Sequence, residues 1–303
     1  MPAEAPENAP AAAPERWLQV TVDCPQSSVA QVEAAFEQLG ALVTWAQAAD
    51  DEQILEPAPD ATPLWTAVRV TALLPPDTPR ERVAAAFPRS QPHFEIVADR
   101  DWDAEWRRGL KPLRFGGRLW VCPVGQACPD PAGVSLLLEP GLAFGTGTHP
   151  TTAMCLTWLE GQPLAGRTVL DYGCGSGILA IGALALGARS AVGVDLDPQA
   201  LTATRDNAAR NSVAAELTVG LPADLLGKGA MPQFQVLVAN ILSGPLVDLA
   251  PEFRRVVGPG TCVALSGILT EQVAEVIVAF RPWVPLAVAD EQGGWVLLTG
   301  SVT

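Results

Sequence analysis

The sequence predicts an α/β protein: a Rossmann-like domain built on a parallel sheet, preceded by a smaller ferredoxin-like α/β module. Three observations predict it. Short apolar runs alternate with helical stretches through the second half of the chain. One of these runs opens into "YGCGSGILAI", three glycines at alternate positions followed at once by a helical pattern. In the first hundred residues, strand and helix patterns come in the order β-α-β-β-α-β.

Residues 1–14 belong to an Ala/Pro/Glu-rich stretch that reads as a flexible tail, without the basic start and apolar centre of a signal peptide. Residues 15–100 form the first module. "RWLQVTVDC" alternates like a strand, and "SSVAQVEAAFEQLG" has helical spacing between a Ser start and a Gly stop. "ALVTWAQ" and "TAVRVTALLP" are strand-like. "TPRERVAAAFPRS" opens with a Thr cap and Pro at the first helical position, and "HFEIVADR" is a final strand. Nothing in the module looks catalytic.

Residues 101–123 read as a linker: a short helix to Leu110, a turn and a strand. They carry the densest basic stretch, Arg107, Arg108, Lys111, Arg114 and Arg118. That segment is either a solvated helix or a hinge between the domains. Residues 124–303 form the second domain. Strand-like "TVLDYG", "SAVGVDLD", "AELTVGL", "QVLVANIL" and "TCVALSGIL" are mostly separated by helical stretches near 178–187, 198–211, 244–256 and 270–280. The end differs: two strand patterns flank a Gly-Gly turn, so the last strand is expected to insert antiparallel.

The formal net charge is −14, and residues 1–100 hold 15 acids against 6 bases, a balance of −9. Such a surface repels phosphate backbones and attracts basic partners, so nucleic-acid binding is not expected. No apolar run reaches the roughly 18 residues of a membrane span without a charge or a breaker. The six cysteines contain no C-x-x-C pair, which gives a metal site little support. A cytoplasmic location is expected, and in the absence of an oligomer signal, a monomer.

The loop Gly173–Gly177 follows the first strand of the parallel repeat, where ligands of such sheets bind. Glycines at Gly173 and Gly175 permit a tight turn and close approach of main chain to a ligand. Asp195 closes the next strand, 22 residues after Gly173. A carboxylate there can accept from both hydroxyls of a ribose. Asp197 precedes Pro198 and fits better as a helix cap. A dinucleotide fingerprint needs G-x-G-x-x-G, but the sixth position here is Ile178. Asp171 beside a pyrophosphate would be costly, whereas beside a sulfonium and ammonium it is favourable. S-adenosylmethionine is therefore the expected cofactor, and a methyltransferase is expected over a dehydrogenase.

Two further stretches bear on the site. "LAFGTGTHPTT" turns into a helix beginning near Thr151; this puts Thr152 in its first turn, facing the cofactor pocket if the helix packs across its mouth, or else the stretch is only a helix cap with a glycine turn. His149 is either a general base or a residue that shapes the turn. "VLVANILSGPL" ends a strand at Asn240, which either holds an acceptor amine or caps the next helix.

Together, "LAFGTGTHPTT", "DYGCGSGILAI", "VGVDLDP" and "VANILSGPL", in this order, resemble the bacterial ribosomal protein L-eleven methyltransferases, the PrmA family. "DWDAEWRRGLKPLRFGGRLWVCP" matches that family's linker and "LSGIL" its fifth strand. The resemblance implies a seven-stranded Rossmann-like methyltransferase domain with an N-terminal domain that recognises the substrate. It implies protein-lysine N-methylation: transfer from S-adenosylmethionine to lysine side chains and to the N-terminal amine of a basic large-subunit ribosomal protein. It places cofactor contacts on Thr152, Gly173, Asp195 and Asn240. Asn240 is the expected positioning residue for the acceptor, with no obligatory acid-base catalyst. The alternative is an N-methyltransferase acting on another protein or on a small-molecule amine.

Overall fold

The computed structural model describes residues 16–50, 65–98, 111–138, 147–226 and 233–303. The tail, the expected helix over 101–110 and the first part of the "LAFGTGTHPTT" turn lie outside the described residues. Contacts divide the chain into two compact units, Met1–Glu105 and Trp106–Thr303. Among the described residues, no helix is long and apolar enough to cross a membrane.

The first unit runs β1 (Arg16–Pro25), α1 (Val29–Gln38), β2 (Val43–Ala48), β3 (Ala67–Leu74), α2 (Arg80–Ala86) and β4 (His93–Ala98). Its antiparallel sheet has the order β2-β3-β1-β4, the ferredoxin-like arrangement. Alternate residues of β1 and β3, including Leu18, Val20, Val22, Val68 and Val70, are buried with Phe36 of α1 and Val83 of α2. The opposite positions are polar or partly exposed, among them the Asp23–Arg69 pair at 2.7 Å. Helix α2 is capped by Pro79, not by Thr78: the helix begins one residue later than the sequence pattern suggests.

The second unit carries two sheets. The smaller joins β5 (Leu113–Phe115), β6 (Leu119–Pro123) and β7 (Val134–Leu138). This corrects the expected linker boundary. Phe115, Leu119 and Val121 are buried in the second unit's core with Leu136 and Leu156, so the second half of 101–123 is part of that unit. "LWVCP" is a short continuous apolar run, as suits a strand with little exposed surface.

The larger sheet comprises β8 (Thr168–Tyr172), β9 (Ser190–Val194), β10 (Leu217–Gly220), β11 (Phe234–Asn240), β12 (Val257–Leu269), β13 (Ala287–Gln292) and β14 (Trp295–Ser301). Their order is β10-β9-β8-β11-β12-β14-β13, with β14 antiparallel to both neighbours, as its Gly-Gly turn suggests. Helices α3 (Pro150–Glu160), α4 (Ile178–Ala185), α5 (Pro198–Arg210), α6 (Pro222–Leu225), α7 (Ser243–Val256) and α8 (Val273–Phe280) complete the unit. Val169, Val236, Val238 and Ala264 enter one core with α3 and α4. Leu170, Leu237, Val263 and Leu265 enter the other with α7 and α8. A sheet covered on both faces needs apolar residues at every position, hence the unbroken runs in the sequence. The chain moves from β8 outward through β9 and β10, then returns to β11 on the other side of β8. The carboxyl ends of β8 and β11 therefore flank the switch point, where open α/β sheets bind ligands.

Candidate active site

Strand β8 delivers Asp171 and Tyr172 to that edge, and the chain then turns through Gly173, Gly175 and Gly177. The amides of Gly173 and Cys174 both donate to Val194 O at the end of β9 (2.8 and 3.0 Å). Gly175 N–H donates to Asp195 Oδ2 at 2.9 Å, and Asp197 N–H donates to Asp195 Oδ1 at 3.0 Å. Helix α5 braces the loop from behind. Thr204 Oγ1 donates to Gly175 O and Asn207 Nδ2 to Ser176 O, each at 2.9 Å. Asp197 caps that helix, accepting from Gln199 N–H at 2.8 Å, as the Asp-Pro pair suggests. The loop and Asp195 are thus one preorganised unit.

Two of the glycines answer to the protein's own packing. A Cβ on Gly173 would overlap Cγ2 of Ile241. Gly177 is the left-handed cap of α4 at φ 80°, and a Cβ there would lie 2.7 Å from Cγ2 of Thr204. Only the expectation of close ligand approach is legible in "GCGSG"; the partners Ile241 and Thr204 are 68 and 27 residues away. Gly177→Ala is expected to cost roughly 1–3 kcal/mol from the left-handed backbone alone. Thermal denaturation would read this as a clear fall in Tm, and an unchanged Tm would refute the packing assignment.

Asp171 is fully buried. Its Oδ2 accepts from Ala180 N–H at 2.9 Å, while Oδ1 has no partner among the described residues. Burial pushes its pKa up to about 7, against the pull of the Ala180 N–H and with a further push from the Asp195 charge. Burial, with the Asp171 charge next, also pushes the adjacent Cys174 thiol up to about 12, so it stays protonated.

On the other side of the switch point, Asn240 ends β11, and its Nδ2 donates to Thr152 Oγ1 at 3.3 Å. The structure thus joins two predicted residues that lie 88 positions apart. Asn240 is not the cap of the following helix, which starts at Ser243 with Leu242 in the cap position. Thr152 is buried in the first turn of α3. That turn is fixed by His149, whose Nδ1 accepts from Thr151 N–H at 3.4 Å and bonds to Thr151 Oγ1 at 2.8 Å. Its ring sits edge-on to Trp295, and burial lowers its pKa. Of the two roles open to His149, the structure supports turn shaping.

Asp195 and Asn240 therefore stand on opposite sides of β8, which pairs with β9 through Tyr172–Val194 and with β11 through Ala239–Tyr172. Among the described residues, no group of three or more His, Cys, Asp or Glu is placed to hold a metal ion. The cradle suits a nucleoside bearing positive charge. It offers main chain with no side chain at Gly175, an Asp195 carboxylate with lone pairs to spare, and a buried Asp171 oxygen that lacks a partner among the described residues.

Comparison with known proteins agrees with this chemistry. The family described as "Ribosomal protein L11 methyltransferase (PrmA)" matches residues 16–303. The ribosomal protein L11 methyltransferase of Hahella chejuensis is 50% identical over 292 residues, covering 94% of this chain and 98% of that protein. The Pseudomonas aeruginosa protein of that name is 49% identical over 291 residues, with the same coverage. Among solved structures, the ribosomal protein L11 methylase of Lactobacillus delbrueckii subsp. bulgaricus superposes with a TM-score of 0.58 at 29% identity. It covers 64% of this chain and 100% of that one.

Proposed function

Because the chain belongs to the ribosomal protein L11 methyltransferase (PrmA) family, we propose that it transfers methyl groups from S-adenosylmethionine to amines of ribosomal protein L11, namely lysine side chains and the N-terminal amine. The observation that carries the chemical part is the Asn240–Thr152 hydrogen bond beside the Asp195-braced glycine loop.

When bound, S-adenosylmethionine supplies an electrophilic methyl group on a sulfonium. The protein's part is to hold, orient and dehydrate. Each Asp195 oxygen accepts one backbone N–H, which leaves lone pairs for the ribose hydroxyls. Gly173 and Gly175 bring main chain to the cofactor. Asp171, whose Oδ1 has no partner among the described residues, supplies negative charge for its cationic end. Lysine, with an ordinary pKa near 10.4, must be neutral to attack. A poorly hydrated pocket lowers that value, and water removes the proton. Asn240, its Nδ2 engaged by Thr152, presents Oδ1 to accept from the amine N–H. No acid-base residue is needed, because alignment supplies most of the rate.

The acidic N-terminal segment suits a basic ribosomal protein, since complementary charge speeds and orients encounter. We take the enzyme to be a cytoplasmic monomer that reads the protein and not RNA. Mass spectrometry of recombinant L11 after incubation with enzyme and S-adenosylmethionine is expected to show added methyls on lysine and the N-terminal amine. Unmodified L11 beside a methylated small amine would favour the alternative acceptor.

Cofactor binding is also expected to be linked to pH through Asp171. Its folded pKa of about 7 lies above the ordinary 3.8. The folded protein therefore holds this proton more tightly, and the group's contribution to stability declines as pH rises from about 4 to about 7. A bound cation lowers that pKa, so binding should release a fraction of a proton just below neutrality and none above about pH 8. Calorimetry in buffers of different ionisation enthalpy reads this release. Asp171→Asn should abolish it, and release that persists in that variant would assign the proton elsewhere.

A further inference from the structure

The main chain leaving Asn240 is gripped from two sides. Asn240 pairs with Ser266 across β11 and β12, so Ile241 comes opposite Gly267. There β12 slips its register with β14, between Leu265 and Ile268, and Gly267 takes φ 83°. A Cβ on Gly267 would overlap the Ile241 carbonyl oxygen and lie 2.7 Å from its carbonyl carbon. From the other side, the β-branch methyl of Ile241, Cγ2, rests on Gly173 of the cofactor loop, where a Cβ would overlap it. Gly173 is itself pinned to Val194 O at 2.8 Å. Ile241 is half-buried and packs against the core beneath. One residue is therefore wedged between the cofactor loop and the β12 bulge. It is joined by a single peptide bond to Asn240.

We propose that Ile241 is a positioning residue that sets the spacing between the cofactor loop and the amine-holding Asn240. Its Cγ2 methyl on Gly173 acts as the spacer, and the Gly267 bulge is the backstop. The inference rests on the reading of Asn240 as acceptor-holding. In-line transfer tolerates little error, since a misplacement of about 1 Å can cost about 10²-fold in rate. The spacer is a matter of branching, not of volume. Valine keeps a methyl at that branch point, whereas leucine, equal in volume to isoleucine, moves the branch one carbon outward.

The test compares Ile241→Val with Ile241→Leu in the full-length enzyme. It uses kcat and KM for methylation of L11, calorimetric Kd for S-adenosylhomocysteine, and Tm. Ile241→Val is expected to retain kcat to within about threefold. Ile241→Leu should lose about 10²-fold in kcat, with Kd, KM and Tm near the parent values. Amides 241–243 should also exchange hydrogen faster in Ile241→Leu than in Ile241→Val. Should Ile241→Leu not fold, Ile241→Ala removes the spacer without adding reach and is judged by the same split. Parent-like turnover in the leucine variant would overturn the inference, and so would losses in both variants that track Tm or Kd. A parent enzyme that binds the cofactor but leaves L11 unmethylated would instead overturn the reading of the acceptor.

Discussion

Asp195→Ala is expected to weaken S-adenosylmethionine binding by about 10²-fold or more, with little change in turnover once the enzyme is saturated. The magnitude follows from the bonds lost. Hydrogen bonds to a charged acceptor contribute about 1.5–3 kcal/mol each, and a ribose offers two hydroxyls. The variant also frees the N–H groups of Gly175 and Asp197, which now donate to the carboxylate at 2.9 and 3.0 Å. The loop should therefore lose rigidity as well as its ligand contact. Asp195→Asn keeps an acceptor of the same shape and should fall between parent and alanine. There is a second signature. The Asp195 charge helps to raise the pKa of Asp171, so in the alanine variant the cofactor-linked proton release should move to lower pH. Calorimetry measures both effects. Parent-like affinity in Asp195→Ala would show that the sugar is held elsewhere.

Asn240→Ala is expected to have the complementary effect: kcat should fall by about 10²–10³-fold while cofactor affinity changes little. In the proposed mechanism the amide does not bind the donor's charge; it aligns the amine. Removing it leaves Thr152 Oγ1, a buried acceptor, without the donor now 3.3 Å away. Thr152→Val leaves Asn240 in place but frees its amide to rotate, so a smaller loss, about tenfold in kcat, is expected. Single-turnover methylation of L11 at saturating cofactor separates these outcomes. If Asn240→Ala raised KM alone, the residue would be a binding contact and not an aligning one.

Much of this architecture is legible along the chain because the signals are local. "VLDYG" and "VLVAN" are apolar at nearly every position because their sheet is covered on both faces, and the Asp197-Pro198 pair states its helix cap outright. Asp195, the residue after β9, and Asn240, the last of β11, are legible as candidate site residues because each stands at the sheet's carboxyl edge. What was not legible depends on contacts between distant segments. Nothing near Thr204 or Asn207 announces that they hold the glycine loop. Nothing near Gly173 or Gly267 names Ile241 as their common neighbour. The smaller sheet is hard to see in the sequence for a related reason. Strand β7, Val134–Leu138, pairs parallel with β6 through a connection without a helix, so it lacks the strand–helix rhythm that marks the other parallel strands. Leu119 and Val121 read as the end of a linker in the sequence, whereas in the fold they are buried with Leu136. His149 was ambiguous for a different reason: an imidazole before a proline suits a cap and a base equally, and only the Nδ1 contact to Thr151 decides between them.

A crystal structure of the enzyme soaked with S-adenosylhomocysteine would locate the cofactor site directly. There the ribose hydroxyls should lie on the Asp195 carboxylate, the main chain at Gly173–Gly175 against the ligand, and its amino group beside Asp171. A nucleoside bound away from the β8–β11 switch point, or a ribose without contact to Asp195, would contradict this placement.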